Sequence, residues 1–400
     1  MSAASTRRAA SRSLASHILG YVESGETETE HGNAFEDHGV TGVELTLDAM
    51  LTGVHGWRTT GEEMAPSHGL DAVLTIDANV QHIVEDELLR VYQKYSPVSV
   101  SAIVVRPRTG EILALANLPT FDPNLPSQNP TGQLNHALVD TYEPGSTFKI
   151  VTITTALNDG LLTLNEQVFC ENGRWFYGGK PLHDHHPYAM LSFENVVARS
   201  SNIGTAKAAL RLGPARLYQT ITNFGFNRVT GIPLPAENGG RVHPTNAWSK
   251  LSITRVPIGH EVAATPMQMV MAMAAIANGG VLMQPKLIER LQDQTGRVVR
   301  TFPARSLRRV ASEAACREMT RALRSVASEE GTGTSAQLEY YTVAGKTGTA
   351  EKFANGTYKS GKYYASFIGF LPATDPELCI LVGVDEPDRR VGHMGGAVAA

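Results

Sequence analysis

The spacing of apolar and polar residues predicts helices and antiparallel strands along most of the chain. Asp77 is a favourable N-cap, and apolar residues recur at helical spacing over 80–95, which predicts a long helix. Two β-rich runs follow at 98–105 and 111–116, and the short turn between them indicates a hairpin. Asn355-Gly356 is typical of a turn between strands. The strands predicted in this last part of the chain are 340–349, 365–370 and 378–384.

Two segments are apolar almost all round and therefore predict buried helices. Pro144-Gly145 precedes the first, 146–159, which ends at Gly160. Thr265-Pro266 combines an N-cap with a first-turn proline and begins the second, 267–277. Helices mixed with hairpins, without regular strand–helix alternation, indicate an α+β fold rather than an α/β fold.

Residues 1–70 differ in composition from the rest of the chain. The segment 2–13 is small and basic, and 23–37 is acidic, polar and poor in large apolar residues. We predict that 23–37 is a flexible loop between two more ordered stretches, 14–22 and 40–56. The sequence therefore divides into 1–70 and a larger domain at 71–400.

Composition excludes several classes of function. The chain has 400 residues, 42% of them hydrophobic and 18% charged, with a net charge of −4. It has no basic footprint, so nucleic acid is not expected as a partner. Three widely separated cysteines without a CxxC pair argue against a disulfide framework or a cysteine-rich zinc site. The longest apolar run, 269–277, is shorter than the about 20 residues of a membrane span, so we expect neither a span nor a signal peptide.

The first chemical motif is Ser146-Thr147-Phe148-Lys149. On a helix, Ser146 and Lys149 lie one turn apart on the same face. Free backbone N–H groups at a helix N-terminus favour negative charge, which suits a serine nucleophile. Lys149 can act as the base if burial and a neighbouring cation lower its pKa.

The second motif is Ser200-Ser201-Asn202. Its first hydroxyl can relay a proton to a leaving amine, and its amide can bind a peptide backbone through both donor and acceptor. The SxN pattern is common by chance, and a second copy stands at 127–129. That copy lies in a loop flanked by prolines before the SxxK motif, so we interpret it as structural.

The third motif, Lys346-Thr347-Gly348-Thr349, is much rarer by chance than the other two. Its lysine and threonine hydroxyls suit a terminal carboxylate, and Gly348 leaves room for a substrate backbone. If its strand lies at the edge of the sheet, a peptide can add beside it as a further strand. SxxK, SxN and KTG in this order are the motif set of penicillin-binding proteins and class A β-lactamases.

A larger part of the chain resembles the class B penicillin-binding proteins, especially the division-specific peptidoglycan transpeptidase. The resemblance covers roughly 71–400 and extends weakly into 14–61. The matching stretches are YEPGSTFK at 142–149, ARSSN at 198–202, TPMQM at 265–269, AGKTGTA at 344–350 and GFLPA at 369–373.

The resemblance implies the serine-transpeptidase fold, an antiparallel sheet packed with helices plus an all-helical subdomain. It makes 1–70 part of the family's N-terminal pedestal, which is of a dimerisation type. Family members also carry a membrane-anchoring helix before the pedestal and a final helix after the equivalent of 395–400. We therefore expect a chain that is clipped relative to its family, above all at the C-terminus.

The resemblance further implies four catalytic residues: Ser146, Lys149, Ser200 and Lys346. Ser146 would attack the penultimate carbonyl of a stem peptide ending in D-Ala-D-Ala after giving its proton to Lys149. Ser200, with Lys149 and Lys346, would pass a proton to the departing D-alanine. An amine from a second stem peptide would then resolve the acyl-enzyme, whereas a β-lactam would leave a long-lived acyl-serine.

Substrate binding follows from the same resemblance. Asn202 would orient the donor peptide, Thr347 and Thr349 would hold its carboxylate, and Gly348 would let its backbone approach. The backbone N–H groups of Ser146 and Thr349 would hold the oxyanion. No cofactor or metal is implied.

Partners and location are implied by the resemblance alone. The expected partners are peptidoglycan stem peptides, β-lactams, a membrane glycan polymerase and other division proteins. The expected place is the bacterial cytoplasmic membrane, with the domain on its outer face.

Several alternatives stay open from the sequence. A D,D-carboxypeptidase or a β-lactamase-type hydrolase would carry the same motifs, and so would a β-lactam sensor or scaffold that never turns over. The loop His183-Asp184-His185-His186 suggests a metal site, but its flanking prolines and the proposed chemistry argue against one. Glu143 is interpreted as structural, and His260 and His393 are left as residues that could line the site.

Overall fold

The computed structural model describes residues 14–29, 32–54, 57–58, 63–65, 67–354 and 357–400. The strands are β1 (Val22–Thr29), β2 (Gly32–Gly39), β3 (Trp57–Arg58), β4 (Glu63–Met64), β5 (Asp71–Leu74), β6 (Ser99–Arg106), β7 (Glu111–Leu118), β8 (Gln167–Phe169), β9 (Arg174–Tyr177), β10 (Lys180–His183), β11 (Met190–Ser192), β12 (Arg241–Val242), β13 (Val262–Ala263), β14 (Val281–Met283), β15 (Ile288–Gln292), β16 (Val298–Thr301), β17 (Ser306–Arg309), β18 (Ala344–Ala354), β19 (Thr357–Leu371) and β20 (Leu378–Asp385). The helices are α1 (Ser16–Leu19), α2 (Gly42–Thr46), α3 (Asp48–Leu51), α4 (Ala78–Tyr95), α5 (His136–Val139), α6 (Lys149–Asn158), α7 (Phe193–Ala198), α8 (Asn202–Leu212), α9 (Pro214–Asn223), α10 (Ser252–Arg255), α11 (Pro266–Ala277), α12 (Glu313–Val326) and α13 (Gly395–Val398).

A five-stranded antiparallel sheet with the order β18-β19-β20-β6-β7 forms the centre of the molecule. Along β6, Ala102 and Val104 pack in clusters with residues of α4, while Ile103 and Val105 face the larger core that contains α11. Helices therefore cover both faces, which explains why β6 is buried at every position except the last, Arg106, rather than at alternate ones. The predicted α+β class and the hairpin formed by β6 and β7 are confirmed.

The two best-marked helices begin where their capping residues predict. The Asp77 side chain accepts hydrogen bonds from the backbone N–H groups of Asn79 and Val80, at 2.9 and 3.2 Å, and starts α4. Thr265 and Gln268 form a reciprocal capping box at the start of α11. Each such cap satisfies backbone donors that the helix itself leaves unpaired, so both helix starts were readable from sequence.

The prediction for 23–37 is wrong in its secondary structure. This segment forms most of β1 and β2, which pair as an antiparallel ribbon from Val22 opposite Gly39 to Thr29 opposite Gly32. Strand pairing satisfies the backbone hydrogen-bonding groups of a segment whose composition offers no apolar face to a core. Composition alone therefore did not predict the β1–β2 ribbon, because backbone pairing rather than an apolar face forms it.

The helical region beside the sheet is built around α6. This helix packs against α8 and α12, and α7 packs against both of those. Short two-stranded ribbons, β8 with β11 and β9 with β10, also belong to the region, so it is mainly rather than purely helical. Phe148, just before α6, is fully buried and packs edge-on against Phe226, with ring centroids 5.0 Å apart.

The predicted strands at the end of the chain are confirmed with shifted boundaries. β18 begins at Ala344, so 340–343 is not strand, and the predicted turn at Asn355-Gly356 lies outside the described residues. β19 is longer than predicted, and β20 lies between β19 and β6. Across the described ranges, no helix combines the length and the apolar character that a membrane crossing requires.

Candidate active site

The SxxK motif lies where a tight turn runs into a buried helix. A 3-10 turn over Gly145–Phe148 leads directly into α6, whose first residue is Lys149. Ser146 is half-buried on this turn. Gly145 has a φ of +55°, and a Cβ at this position would lie 3.2 Å from the Cβ of Ala350 on β18. Glycine therefore permits the close approach between the serine turn and the KTG strand.

Three of the four predicted catalytic side chains meet directly. Lys149 Nζ donates to the Ser200 carbonyl at 2.6 Å and to Ser200 Oγ at 3.1 Å. Lys346 Nζ donates to the same Oγ at 2.8 Å and to the Thr347 carbonyl at 3.1 Å. The Ser200 hydroxyl thus bridges two lysine amino groups contributed by elements almost 200 residues apart in sequence.

Both lysines are almost completely removed from solvent, with exposures of 2% for Lys149 and 0% for Lys346. Burial lowers the pKa of Lys149 to about 7, although the negative charge of Asp184 acts in the opposite direction. Burial also lowers the pKa of Lys346 well below its usual value, and the neighbouring Lys149 lowers it further. A buried ammonium costs solvation free energy, so the neutral amine becomes accessible near neutral pH.

Ser200 adopts a backbone conformation that is rare for a residue with a side chain. Its φ is +58°, in the left-handed region, and it lies between the end of α7 and the start of α8. Its N–H donates to the Val197 carbonyl at 3.2 Å. Such conformations cost about 1–3 kcal/mol and persist where surrounding contacts enforce them, often at functional sites.

The remaining residues of the SxN motif anchor α8. Ser201 Oγ accepts from the Gly204 N–H at 2.9 Å and so serves as the N-cap of this helix. Asn202 Nδ2 donates to the His183 carbonyl at 2.8 Å. The amide oxygen of Asn202 is left for another partner, because the described contact engages only its nitrogen.

The KTGT motif lies on β18, the first strand in the sheet order, so it stands at the sheet edge that the addition of a peptide strand would require. Thr347 Oγ1 is 2.7 Å from Thr332 Oγ1, and Thr349 Oγ1 accepts from the Gly395 N–H at 2.9 Å. A Cβ on Gly348 would lie 2.6 Å from Ser366 Oγ and 2.9 Å from a methyl carbon of Thr147. A side chain at this position would therefore force Ser366 or Thr147 to shift.

A second polar cluster lies beside the serine turn and joins Glu143 and His260, both considered from sequence, to Tyr358, which was not. Tyr358 OH donates to Glu143 Oε2 at 3.1 Å and lies 2.8 Å from His260 Nδ1. The other oxygen of Glu143 accepts from the Glu261 N–H at 2.8 Å. Burial lowers the pKa of His260 to about 4, helped by the nearby charges of Arg255 and Lys149, so His260 is neutral at pH 7. The cluster ties the β18–β19 hairpin to the loop before Ser146.

The histidine-rich loop contacts the SxN segment through the Asp184 carboxylate. No group of three or more His, Cys, Asp or Glu side chains suited to a metal ion occurs in the part of the chain that the structure describes. Asp184 instead accepts three hydrogen bonds from residues 201–203. His393, left open from sequence, lies against Tyr363 with ring centroids 4.7 Å apart.

A sheet covered by helices, with SxxK, SxN and an edge-strand KTG motif around one point, defines the class of penicillin-recognising serine proteins. A family model described as the penicillin binding protein transpeptidase domain matches residues 100–400, and the chain belongs to this family.

Known relatives match almost the whole chain. Stage V sporulation protein D of Bacillus subtilis is 34% identical over 97% of this chain and 61% of its own length. A probable peptidoglycan D,D-transpeptidase PenA of Neisseria meningitidis is 30% identical over 96% of this chain and 65% of its own length. The chain therefore spans somewhat less than two thirds of the length of these curated relatives.

The fold agrees equally well with solved structures. Penicillin binding protein 3 of Mycobacterium tuberculosis in its apo form superposes with a TM-score of 0.86 and 31% identity, covering 98% of this chain and 87% of that one. The same protein complexed with aztreonam gives a TM-score of 0.85, covering 95% and 84%. The predicted family and fold are thus confirmed.

Proposed function

We propose that this chain is the catalytic part of a peptidoglycan D,D-transpeptidase that acts through an acyl intermediate on Ser146. The observation that carries the proposal is the Ser200 hydroxyl, held between the buried amines of Lys149 and Lys346 beside the half-buried Ser146 turn. This arrangement offers a nucleophile, a base with a lowered pKa and a proton relay in one place.

In the first step, neutral Lys149 takes the proton of Ser146 as its oxygen attacks the penultimate carbonyl of a D-Ala-D-Ala peptide. The backbone N–H groups of Ser146 and Thr349 receive the developing negative charge. Ser200 then passes a proton from the lysine pair to the departing D-alanine amine. The two hydrogen bonds that its hydroxyl receives already position it for this transfer.

Substrate recognition uses the unpaired side of β18. A donor peptide adds there as an extra strand, with its terminal carboxylate close to the hydroxyls of Thr347 and Thr349 and to the Lys346 charge. Asn202 orients the peptide from the opposite side, with the amide oxygen that its bond to His183 leaves available. A second stem peptide supplies the amine that resolves the acyl-enzyme.

The remaining parts of the proposal rest on the family. Residues 71–400 form the catalytic domain and 1–70 contribute to the pedestal. The complete protein works in cell-wall synthesis on the outer face of the cytoplasmic membrane, beside a glycan polymerase and other division proteins. Its relationship to a sporulation protein and to a D,D-transpeptidase supports a specialised role in the wall.

The function is tested by offering the chain a pentapeptide ending in D-Ala-D-Ala together with a free D-amino acid. We expect mass spectrometry to show an exchanged peptide amide, formed through an acyl group located on Ser146 by peptide mapping. Shortened peptide without exchange would support the carboxypeptidase alternative. A stable acyl group without any released product would support the sensor alternative.

The pH dependence of acylation follows from the pKa of Lys149. Because the neutral amine is the base and its pKa is about 7, the second-order rate of penicillin acylation should fall as pH drops below 7. The expected slope is about tenfold per pH unit on the acid side, with a plateau above pH 8. Stopped-flow measurements with a chromogenic penicillin check this, and a rate unchanged between pH 5 and 8 would contradict it.

A further inference from the structure

A pocket with an apolar lining lies between the loop after α9, helix α11 and the ribbon of β14 and β17. It has an empty volume of about 350 Å³ and is partly open to solvent. Phe224, Met271 and Leu282 contribute buried side chains to it. Val229 and Leu307 line it as well and are 53% and 37% exposed, so its apolar surface continues out to solvent. The volume falls within the range of small-molecule sites, about 300–1,000 Å³.

Two arginines, Arg228 and Arg308, complete the lining, and none of the described residues that line the pocket is acidic. Arg308 Nε donates to the Asn223 carbonyl at 2.9 Å, so the two terminal nitrogens of this guanidinium remain available. Arg228 is exposed, and its guanidinium forms no ion pair within the described ranges. Burial and the positive charge of Arg228 both lower the pKa of Arg308, which shows that the two like charges repel each other.

The loop that carries Arg228 is held in place by other residues. Gln268 on α11 donates through Nε2 to the Arg228 carbonyl at 2.8 Å. The Glu237 carboxylate accepts from the N–H and hydroxyl of Thr230, at 2.7 and 2.5 Å, and from the Gly231 N–H at 3.0 Å. These bonds engage the carboxylate that lies on the same loop as Arg228. They also fix the pocket wall before any ligand arrives, which lowers the cost of binding.

We propose that this pocket binds a small organic anion, a carboxylate on an apolar body, with the carboxylate held by Arg228 and Arg308. The apolar body would cover the side chains of Phe224, Met271 and Leu282. Guanidinium groups bind carboxylates through paired hydrogen bonds, and a negative charge placed near both arginines would remove their repulsion. The inference is independent of the proposed function, because the pocket contains none of the residues assigned to acyl transfer.

Two methionines in the lining, Met271 and Met283, provide a local readout of binding. The test titrates hexanoate into the chain and follows isotope-labelled methionine methyl groups by NMR, with Met271→Leu and Met283→Leu used for assignment. We expect saturable shifts of these two signals. Hexanamide has the same body without the charge and should bind about tenfold more weakly, the scale of one charge-assisted hydrogen bond. Inorganic phosphate, which lacks the apolar body, should not shift them at the same concentration.

Substitution of one arginine tests the charge directly. Arg228→Gln should weaken hexanoate about tenfold and leave the affinity for hexanamide unchanged. Arg228→Lys keeps the charge but loses the paired geometry, so its affinity should lie between those of the native chain and Arg228→Gln. Arg324→Gln is the matched control, because Arg324 is an exposed arginine on α12 that does not line the pocket. This variant should keep the native affinity for hexanoate.

Three results would overturn the proposal. The first is the absence of saturable shifts at Met271 and Met283 with hexanoate. The second is equal affinity for hexanoate and hexanamide, or for hexanoate in the native chain and Arg228→Gln. The third is a shift confined to Met394, whose neighbour Gly395 donates to Thr349, because it would place the carboxylate at the candidate active site instead. Each result can be read whether or not the chain is acylated, so failure of this inference is distinct from failure of the proposed function.

Discussion

Replacing Ser146 by alanine is expected to abolish covalent labelling by a fluorescent penicillin. The substitution removes the oxygen that forms the acyl bond and leaves the lysine pair and Ser200 in place. Loss of the nucleophile in serine acyl enzymes costs on the order of 10⁶ in rate, so labelling should be undetectable. Gel fluorescence and intact mass, read on native and variant chains under the same conditions, provide the measurement.

The control for this experiment is Ser127→Ala, in the second SxN copy. Ser127 is exposed within a 3-10 turn over Pro126–Gln128, and we expect native labelling from this variant. Circular dichroism on both variants checks that the fold is retained. A penicillin adduct on folded Ser146→Ala would show that a residue other than Ser146 is the nucleophile.

The sequence was sufficient to predict those elements that are marked by residues close together in the chain, such as helix starts and short motifs. Asp77 and Thr265 marked their helices because a capping side chain binds backbone donors within three residues of itself. The three motifs were recognisable because each is short and their order is characteristic. Local signals of this kind do not depend on how the rest of the chain folds.

The sequence was insufficient wherever a contact joins distant segments. Asp184 accepts hydrogen bonds from a helix that begins 18 residues later, so no capping pattern could reveal this contact. Its histidine neighbours raised only the question of a metal site, which the flanking prolines argued against. The ribbon of β1 and β2 depends on backbone pairing between polar segments, although alternating Thr and Glu at 26–29 offered a weak strand signal. The lowered pKa values of the lysines depend on burial, which only tertiary packing creates.

Replacing Lys149 by methionine is expected to have the second largest effect. Methionine approximates the length of the lysine side chain but cannot take the proton of Ser146. General bases contribute typically 10²–10⁴-fold, so the acylation rate should fall by about that factor. The acid limb near pH 7 should also disappear, because the group that produces it is gone. Chromogenic penicillin kinetics from pH 5 to 9 measure both changes.

Stability gives an independent readout of the same substitution. Lys149→Met removes the solvation cost of a buried charge, but it also takes one donor from the buried Ser200 carbonyl and hydroxyl. Because these two effects oppose each other, we expect Lys149→Met to remain folded with an unfolding temperature close to the native one while acylating poorly. Lys250→Met, at an exposed lysine, is the matched control and should retain the native rate and the native acid limb.

A folded Lys149→Met chain with the native rate would show that another group takes the serine proton. Lys346, relieved of the neighbouring positive charge, would then be the first group to test.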